Sequence, residues 1–261
     1  MKFITAVRIR REHTALAAGR RRGRTEPAQG KRRARTLLKQ QTRKGRRTEM
    51  MEKKIYRAGQ VNSAEAFDCA ETPWAQIAEN PWGLAYAPAA RARLCADFQT
   101  GGLWVRLEAV ERRGDMRAEA KETNGRVWED SCLEFFFNPM PESGLGYLNF
   151  EANSLGVMLF GVHNGQVDGQ IGDVSESDFR MRVLYEALAE NRTRWTLRYF
   201  VPFAYIRRWF GGFEPRPGMR IAGNFYKCGD LCPQEHYLSW SPIDYPQPSF
   251  HRPECFGDIL L

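Results

Sequence analysis

Residues 127–139 read VWEDSCLEFFFNP, in which a Trp precedes by six positions a Glu set inside an apolar, aromatic run. An indole and a carboxylate held on one surface suit a polyhydroxylated ligand. The flat ring covers apolar C–H surface while the carboxylate accepts hydrogen bonds from hydroxyls in fixed directions. Downstream, LNFEAN places Asn149, Glu151 and Asn153 at every second position, and Asn224, Tyr226, Tyr237, Trp240 and His251 add further amide, aromatic and imidazole groups. The same residue types permit other chemistries. Glu134 and Glu151 could serve as the carboxylate pair of a glycoside hydrolase. Cys228, Cys232 and His236, followed by His251 and Cys255, are soft ligands for zinc, yet the spacing matches none of the usual zinc patterns, which pair a C-x2–4-C knuckle with a second such unit. Met158 and His163 are a possible haem pair, but they fall on one short strand and its turn and would not face each other.

The elements that must position these groups are strands. Beyond residue 51, apolar residues recur two apart and are interrupted by Gly, Pro and Asn every ten residues or so. LWVRLEA sets Leu103, Val105 and Leu107 on one face, FRMRVLY sets Phe179, Met181 and Val183, and WTLRYF sets Trp195, Leu197 and Tyr199. About ten such segments occur at the spacing expected of a sandwich. AYIRRWF after Pro202, stopped by Gly211 and Gly212, is the one short helix expected. Long amphipathic crossovers are missing, which argues against a parallel βαβ sheet. The proline-rich stretch from residue 51 to about residue 90 is expected to wrap the edge of the sandwich.

Strand parity then sorts the candidate residues. In CLEFFF, Leu133, Phe135 and Phe137 share one face, and Cys132, Glu134 and Phe136 the other. In the next strand Leu148, Phe150 and Ala152 form an apolar row, with Asn149, Glu151 and Asn153 opposite. Glu134 therefore lies beside a polar row on the second face, joined by Trp128 if its strand begins early. An outer sheet face is ordinarily solvated, so a polar row alone is no site. The surrounding aromatic residues and amides are what point to a ligand.

The chain has 39 Lys/Arg against 31 Asp/Glu, a net charge of +8, but residues 1–50 hold 17 of the basic residues and 3 of the acidic ones, leaving the remainder at about −6. We read residues 1–50 as a basic extension, disordered or preceding the true start at Met50 or Met51, and residues 51–261 as a single domain. A nucleic-acid partner is expected only if that tail is real. It lacks the apolar core of a secretory signal, no run reaches membrane-spanning length, and six Cys do not make a disulfide scaffold. A cytoplasmic location and a reduced state are expected. Nucleotide-binding glycine motifs and a serine nucleophile elbow are missing too.

Taken in order, WEDSCLEFFFNP, GYLNFEANSLG, WTLRYFVPF, GNFYKCGD, HYLSWSPI and FHRPECFGDILL resemble the family 9 carbohydrate-binding modules and their relatives in the DOMON-like superfamily, from about Ala58 onward. The resemblance implies an antiparallel, jelly-roll-like β-sandwich that binds a terminal sugar without altering it. It also implies an aromatic clamp with a Glu and an Asn on the sugar hydroxyls. Carried onto this chain, the Trp and Glu fall on Trp128 and Glu134. Trp240, or in second place Tyr226, would be the other clamp residue, and Asn224 the amide, with Asn149 and Asn153 as further candidates; strand parity adds Glu151, and the loop SFHRPE adds His251, to the same site. Some family 9 modules carry calcium, but no D-x-D-x-D loop is present here, and neither a cofactor nor a metal is expected. With no catalytic domain or export signal alongside, the expected ligand is a soluble mono- or oligosaccharide. The alternatives are the hydrolase, and an interaction module that has lost its sugar.

Overall fold

Alternating side chains become two facing sheets. The computed structural model describes residues 53–172 and 174–261; the basic stretch 1–50 lies outside them. The strands are β1 (Ile55–Arg57), β2 (Gly59–Gln60), β3 (Ala75–Gln76), β4 (Ala89–Asp97), β5 (Gly102–Arg112), β6 (Cys132–Asn138), β7 (Tyr147–Asn153), β8 (Met158–His163), β9 (Asp168–Gln170), β10 (Arg182–Leu188), β11 (Arg192–Pro202), β12 (Arg220–Cys228), β13 (Tyr237–Ser239) and β14 (Gly257–Leu260). One sheet runs β1-β14-β12-β6-β7-β8-β9 with β13 on β12, and the other β10-β11-β5-β4-β2 with β3 on β4. The fold is the expected β-sandwich, with two departures from pure antiparallel pairing: β1 pairs with β14, and β2 with β4, in parallel.

Between the sheets lie the rows picked out by parity. Leu103, Val105 and Leu107 meet Leu133, Phe135, Phe137, Leu148, Phe150, Trp195, Leu197 and Tyr199, all essentially inaccessible to water. Stacked rings knit this core: Phe135 lies 4.8 Å from both Phe137 and Phe225. Each such phenylalanine contributes about 1.5–3 kcal/mol of transfer free energy. In FRMRVLY the strand starts three residues later than alternation predicts, because Phe179 belongs to a 3₁₀ turn and β10 begins at Arg182.

The expected helix forms as Phe203–Trp209, with Phe203 and Ile206 buried and Pro202 fixing its entry. A second short helix, Ala64–Asp68, sits in the proline-rich stretch, where Ser63 Oγ accepts from the Ala66 N–H at 3.1 Å. Among the described residues no helix is long and apolar enough to cross a membrane.

One polar cluster interrupts the core. Lys227, whose side chain points between the sheets, donates to His236 Nε2 at 2.7 Å and lies 3.4 Å from Glu111 Oε1; all three side chains are fully buried. Glu111 also accepts from Trp195 Nε1 at 2.7 Å and from Ser131 Oγ at 3.1 Å. A buried ion pair that also takes hydrogen bonds from its neighbours costs far less than an isolated charge, and the cluster joins β5 to β12 at one end of the sandwich.

The outer face of the larger sheet is not left to solvent. The chain between β5 and β6 and the chain from β12 to β14 fold over it. Val127, Phe136, Tyr147, Leu159, Tyr226, Ile243, Phe250 and Phe256 make a second apolar cluster beneath them. A cleft stays open between these coverings.

Candidate functional site

Three strands supply the floor of the cleft. These are β6, β7 and β8; with β12 alongside β6, the register aligns Tyr226, Glu134, Glu151 and Leu159 in one cross-strand row, and Asn224, Phe136, Asn149 and Gly161 in the next. Glu134, Phe136, Asn149, Glu151, Leu159 and Gly161 line a cavity of about 390 Å³, within the size range of small-ligand sites. Trp128, Cys228, Asp230, Tyr237, Phe250 and His251 are among the residues of its walls and rim.

Trp128 reaches the cleft by a different route from the one parity suggested. It sits on a 3₁₀ turn, Val127–Glu129, rather than on an extended β6. The turn is moored by Asp130, a fully buried carboxylate that accepts from the backbone N–H groups of Glu119 and Ala120, at 3.0 and 2.9 Å, and pairs with Arg117. Asn153 Nδ2 donates to the same carboxylate at 3.0 Å and to the Ala120 carbonyl at 2.9 Å. The Trp128 carbonyl accepts from the Asp230 N–H at 3.1 Å, which ties the two coverings together. The indole stays half-buried, with the Arg126 guanidinium 5.8 Å from its ring.

The two floor carboxyls are almost wholly buried, at 2 and 5% exposure. Cys228 Sγ donates to Glu134 Oε1 at 2.9 Å, and Asn149 Nδ2 to Glu151 Oε1 at 2.9 Å. Burial, and then the neighbouring Glu151 charge, hold Glu134 well above the usual carboxylate range; burial likewise raises Glu151, which the Asn149 bond partly offsets. Two such acids side by side titrate as a pair and retain a proton that a solvated carboxyl would have lost. Asp230, at the rim, is pushed up to about 6 by burial. Asn149 Oδ1 is buried with no partner. The amide lies over β8, where a Cβ on Gly161 would sit 2.0 Å from Asn149 Oδ1, so only glycine at this strand position leaves the amide where it is. An acceptor without a donor, beside two acids that can both give and take hydrogen bonds, suits hydroxyl groups arriving from the cleft.

The structure thus brings together Trp128, Glu134, Asn149, Glu151 and His251, the last exposed at the rim with Nδ1 2.8 Å from the Tyr147 hydroxyl. Four expected residues lie elsewhere. Trp240 belongs to the inter-sheet core, packed on Tyr56 and Phe225, because β13 turns Tyr237 outward and Leu238 and Trp240 inward. Tyr226 does rise on the cleft face but is sealed under Phe250, ring on ring at 4.1 Å. Asn224 is fully buried, its amide donating to the Ser241 carbonyl and accepting from the N–H groups of Ser241 and Phe225. Asn153 is consumed by its loop contacts, including the N–H groups of Leu155 and Val157.

The soft-ligand set also comes apart. Cys228 faces the cleft floor, His236 is bound to Lys227, and Cys232 packs near Ser131, its Sγ 3.6 Å from that hydroxyl. Met158 and His163 point to opposite faces of β8, into the core and toward the cleft. Phe250 and Asp230 carry no sequence signal as site residues. Tyr237, named in the sequence only as one of the surrounding aromatics, stands opposite Cys228 on β12 and so reaches the cleft face.

The pattern of carbohydrate-binding family 9 matches residues 62–261. Among solved structures, the chain is similar to a candidate carbohydrate-binding protein from Bacteroides uniformis ATCC 8492. That similarity has 26% identity and a TM-score of 0.67, covering 80% of this chain and 99% of that one. It is also similar to a family 9 carbohydrate-binding module from Caldicellulosiruptor kristjanssonii in complex with cellotriose, at 11% identity and a TM-score of 0.51, covering 79% of this chain and 93% of that one. Among curated proteins none matches. Because the matched span takes in the strands of the floor and every residue that lines the cleft, the chain belongs to carbohydrate-binding family 9.

Proposed function

We propose that the cleft binds a mono- or oligosaccharide, through a terminal sugar, and leaves it chemically unchanged. The observation that carries this reading is the unpartnered Asn149 Oδ1, beside Glu151 on the floor of a preformed cavity that Trp128 also lines. Trp128 offers a ring face to the apolar side of a pyranose, and Tyr237 takes the place of the second aromatic. Glu134, Glu151 and Asn149 meet the hydroxyls. The buried acids suit an uncharged polyol better than a phosphate or carboxylate, which they would repel.

Against hydrolysis stands the placement of the acids. Glu134 and Glu151 are direct cross-strand neighbours on one floor, whereas a glycosidase sets its carboxyls on either side of the bond it cleaves. The test is calorimetric titration of the whole chain with a panel of monosaccharides and short oligosaccharides, with reducing ends assayed in parallel. Saturable binding without release of reducing ends is expected. Release that disappears in Glu134→Gln would establish the hydrolase instead, and no binding across the panel would leave only the fold.

A further inference from the structure

At one end of the cleft floor, β6 and β12 place three metal-binding side chains together. Cys132 and Glu134 are two apart on β6 and so share a face, and Cys228 stands directly opposite Cys132 on β12. One ligand atom from each lies within 4.8 Å of the other two, all three residues are buried, and no other group of this kind occurs among the described residues. Cys228 and Glu134 open onto the cleft, so an ion could reach them. We propose that Cys132, Cys228 and Glu134 form a binding site for a soft or borderline divalent cation of the zinc class, distinct from the Cys228, Cys232 and His236 set.

The donor set decides the class of ion. Two thiolates and one carboxylate favour zinc and its thiophilic neighbours over calcium or magnesium, which take oxygen ligands. Tetrahedral bonds of about 2.0–2.3 Å put ligand atoms roughly 3.3–3.8 Å apart, and the three atoms here already lie within 4.8 Å of one another. Because the ligands stand on paired strands and not on loops, the backbone need not move. Three protein ligands leave one position of the tetrahedron for another group. That position is left for water or for a molecule in the cleft. The metal site stands whether or not the cleft takes a sugar.

The test is an anaerobic titration of the reduced, full-length chain with Co2+, read by thiolate-to-cobalt charge transfer in the near ultraviolet and by the visible bands of tetrahedral cobalt, followed by displacement with Zn2+. One ion per chain is expected. The bands should be lost in Cys132→Ser and in Cys228→Ser, while Glu134→Gln weakens binding by roughly tenfold or more. Cys255→Ser, a change outside the set, should leave them intact. If a serine variant fails to fold by near-ultraviolet circular dichroism, the corresponding Cys→Ala variant replaces it, since a buried thiol otherwise packs as a small apolar group. A wild-type chain that shows no thiolate–cobalt bands overturns the proposal. So do bands that survive in the folded Cys132→Ser/Cys228→Ser double variant.

Discussion

His236 makes acid sensitivity a quantitative test of the inter-sheet cluster. Its Nε2 accepts from the Lys227 ammonium at 2.7 Å, its Nδ1 donates to the Gln234 carbonyl at 2.6 Å, Glu111 Oε1 is 3.9 Å away and the Tyr86 ring 5.2 Å. Burial and then the Lys227 charge hold its pKa down to about 3, from an ordinary 6.5. The unfolded chain therefore binds a proton between these values that the folded chain refuses. Stability is full above about pH 6.5 and declines as the pH falls toward 3. For this one site the loss between about pH 7 and pH 5 comes to about 2 kcal/mol, or roughly 4–8 °C in Tm for a domain of this size. Glu134, Glu151 and Asp230 act in the opposite direction: their raised pKa values mean that the folded chain gains stability on acidification through the same window. The informative quantity is thus the difference in slope between wild type and His236→Gln, whose amide can still accept from Lys227. Urea unfolding at stepped pH should show the wild type losing about 2 kcal/mol more than the variant over that interval. Equal slopes would refute a neutral, buried His236, whatever the variant does to stability at pH 7.

Further outcomes follow from the placement of single residues. Trp128→Ala should weaken sugar binding by about 1–2 kcal/mol, measured calorimetrically, with little change in Tm, since the ring is half-exposed on a cleft wall. Trp240→Ala should do the reverse, costing roughly 3–5 kcal/mol of stability by denaturant titration, because it leaves a cavity between the sheets. Gly161→Ala should displace the Asn149 amide and break its bond to Glu151, weakening sugar binding by about 1–3 kcal/mol while far-ultraviolet dichroism stays native. Glu134→Gln replaces a carboxyl by a neutral amide and should reduce sugar affinity by about 1.5–3 kcal/mol in the same titration.

Alternation made the sandwich legible because each face of a strand meets one environment along its length: Leu133, Phe135 and Phe137 could be assigned to the core from six residues of sequence. The same parity put Glu134, Asn149 and Glu151 on one surface, and the register confirms that placement. What alternation could not reveal was the covering over the outer face, because it is made by contacts far apart in the chain. Asn153 serves Ala120 and Asp130, and Asn224 serves Ser241. An amide that caps a distant loop looks, in sequence, like one that waits for a ligand. Trp240 went astray for a different reason. Its resemblance to a clamp residue was followed where the parity of β13, with Tyr237 and Trp240 on opposite faces, gave the better guide.

The cleft floor has a kinetic consequence. Glu134, Asn149 and Glu151 are carried by strands hydrogen-bonded on both sides, and the Trp128 turn is moored through Asp130, so an arriving molecule finds these groups already in position. Capture is then governed by diffusion and by the orientation of the encounter, which differ little from one small solute to another. Selectivity among them is written in residence time, in how quickly each poorly fitting visitor departs.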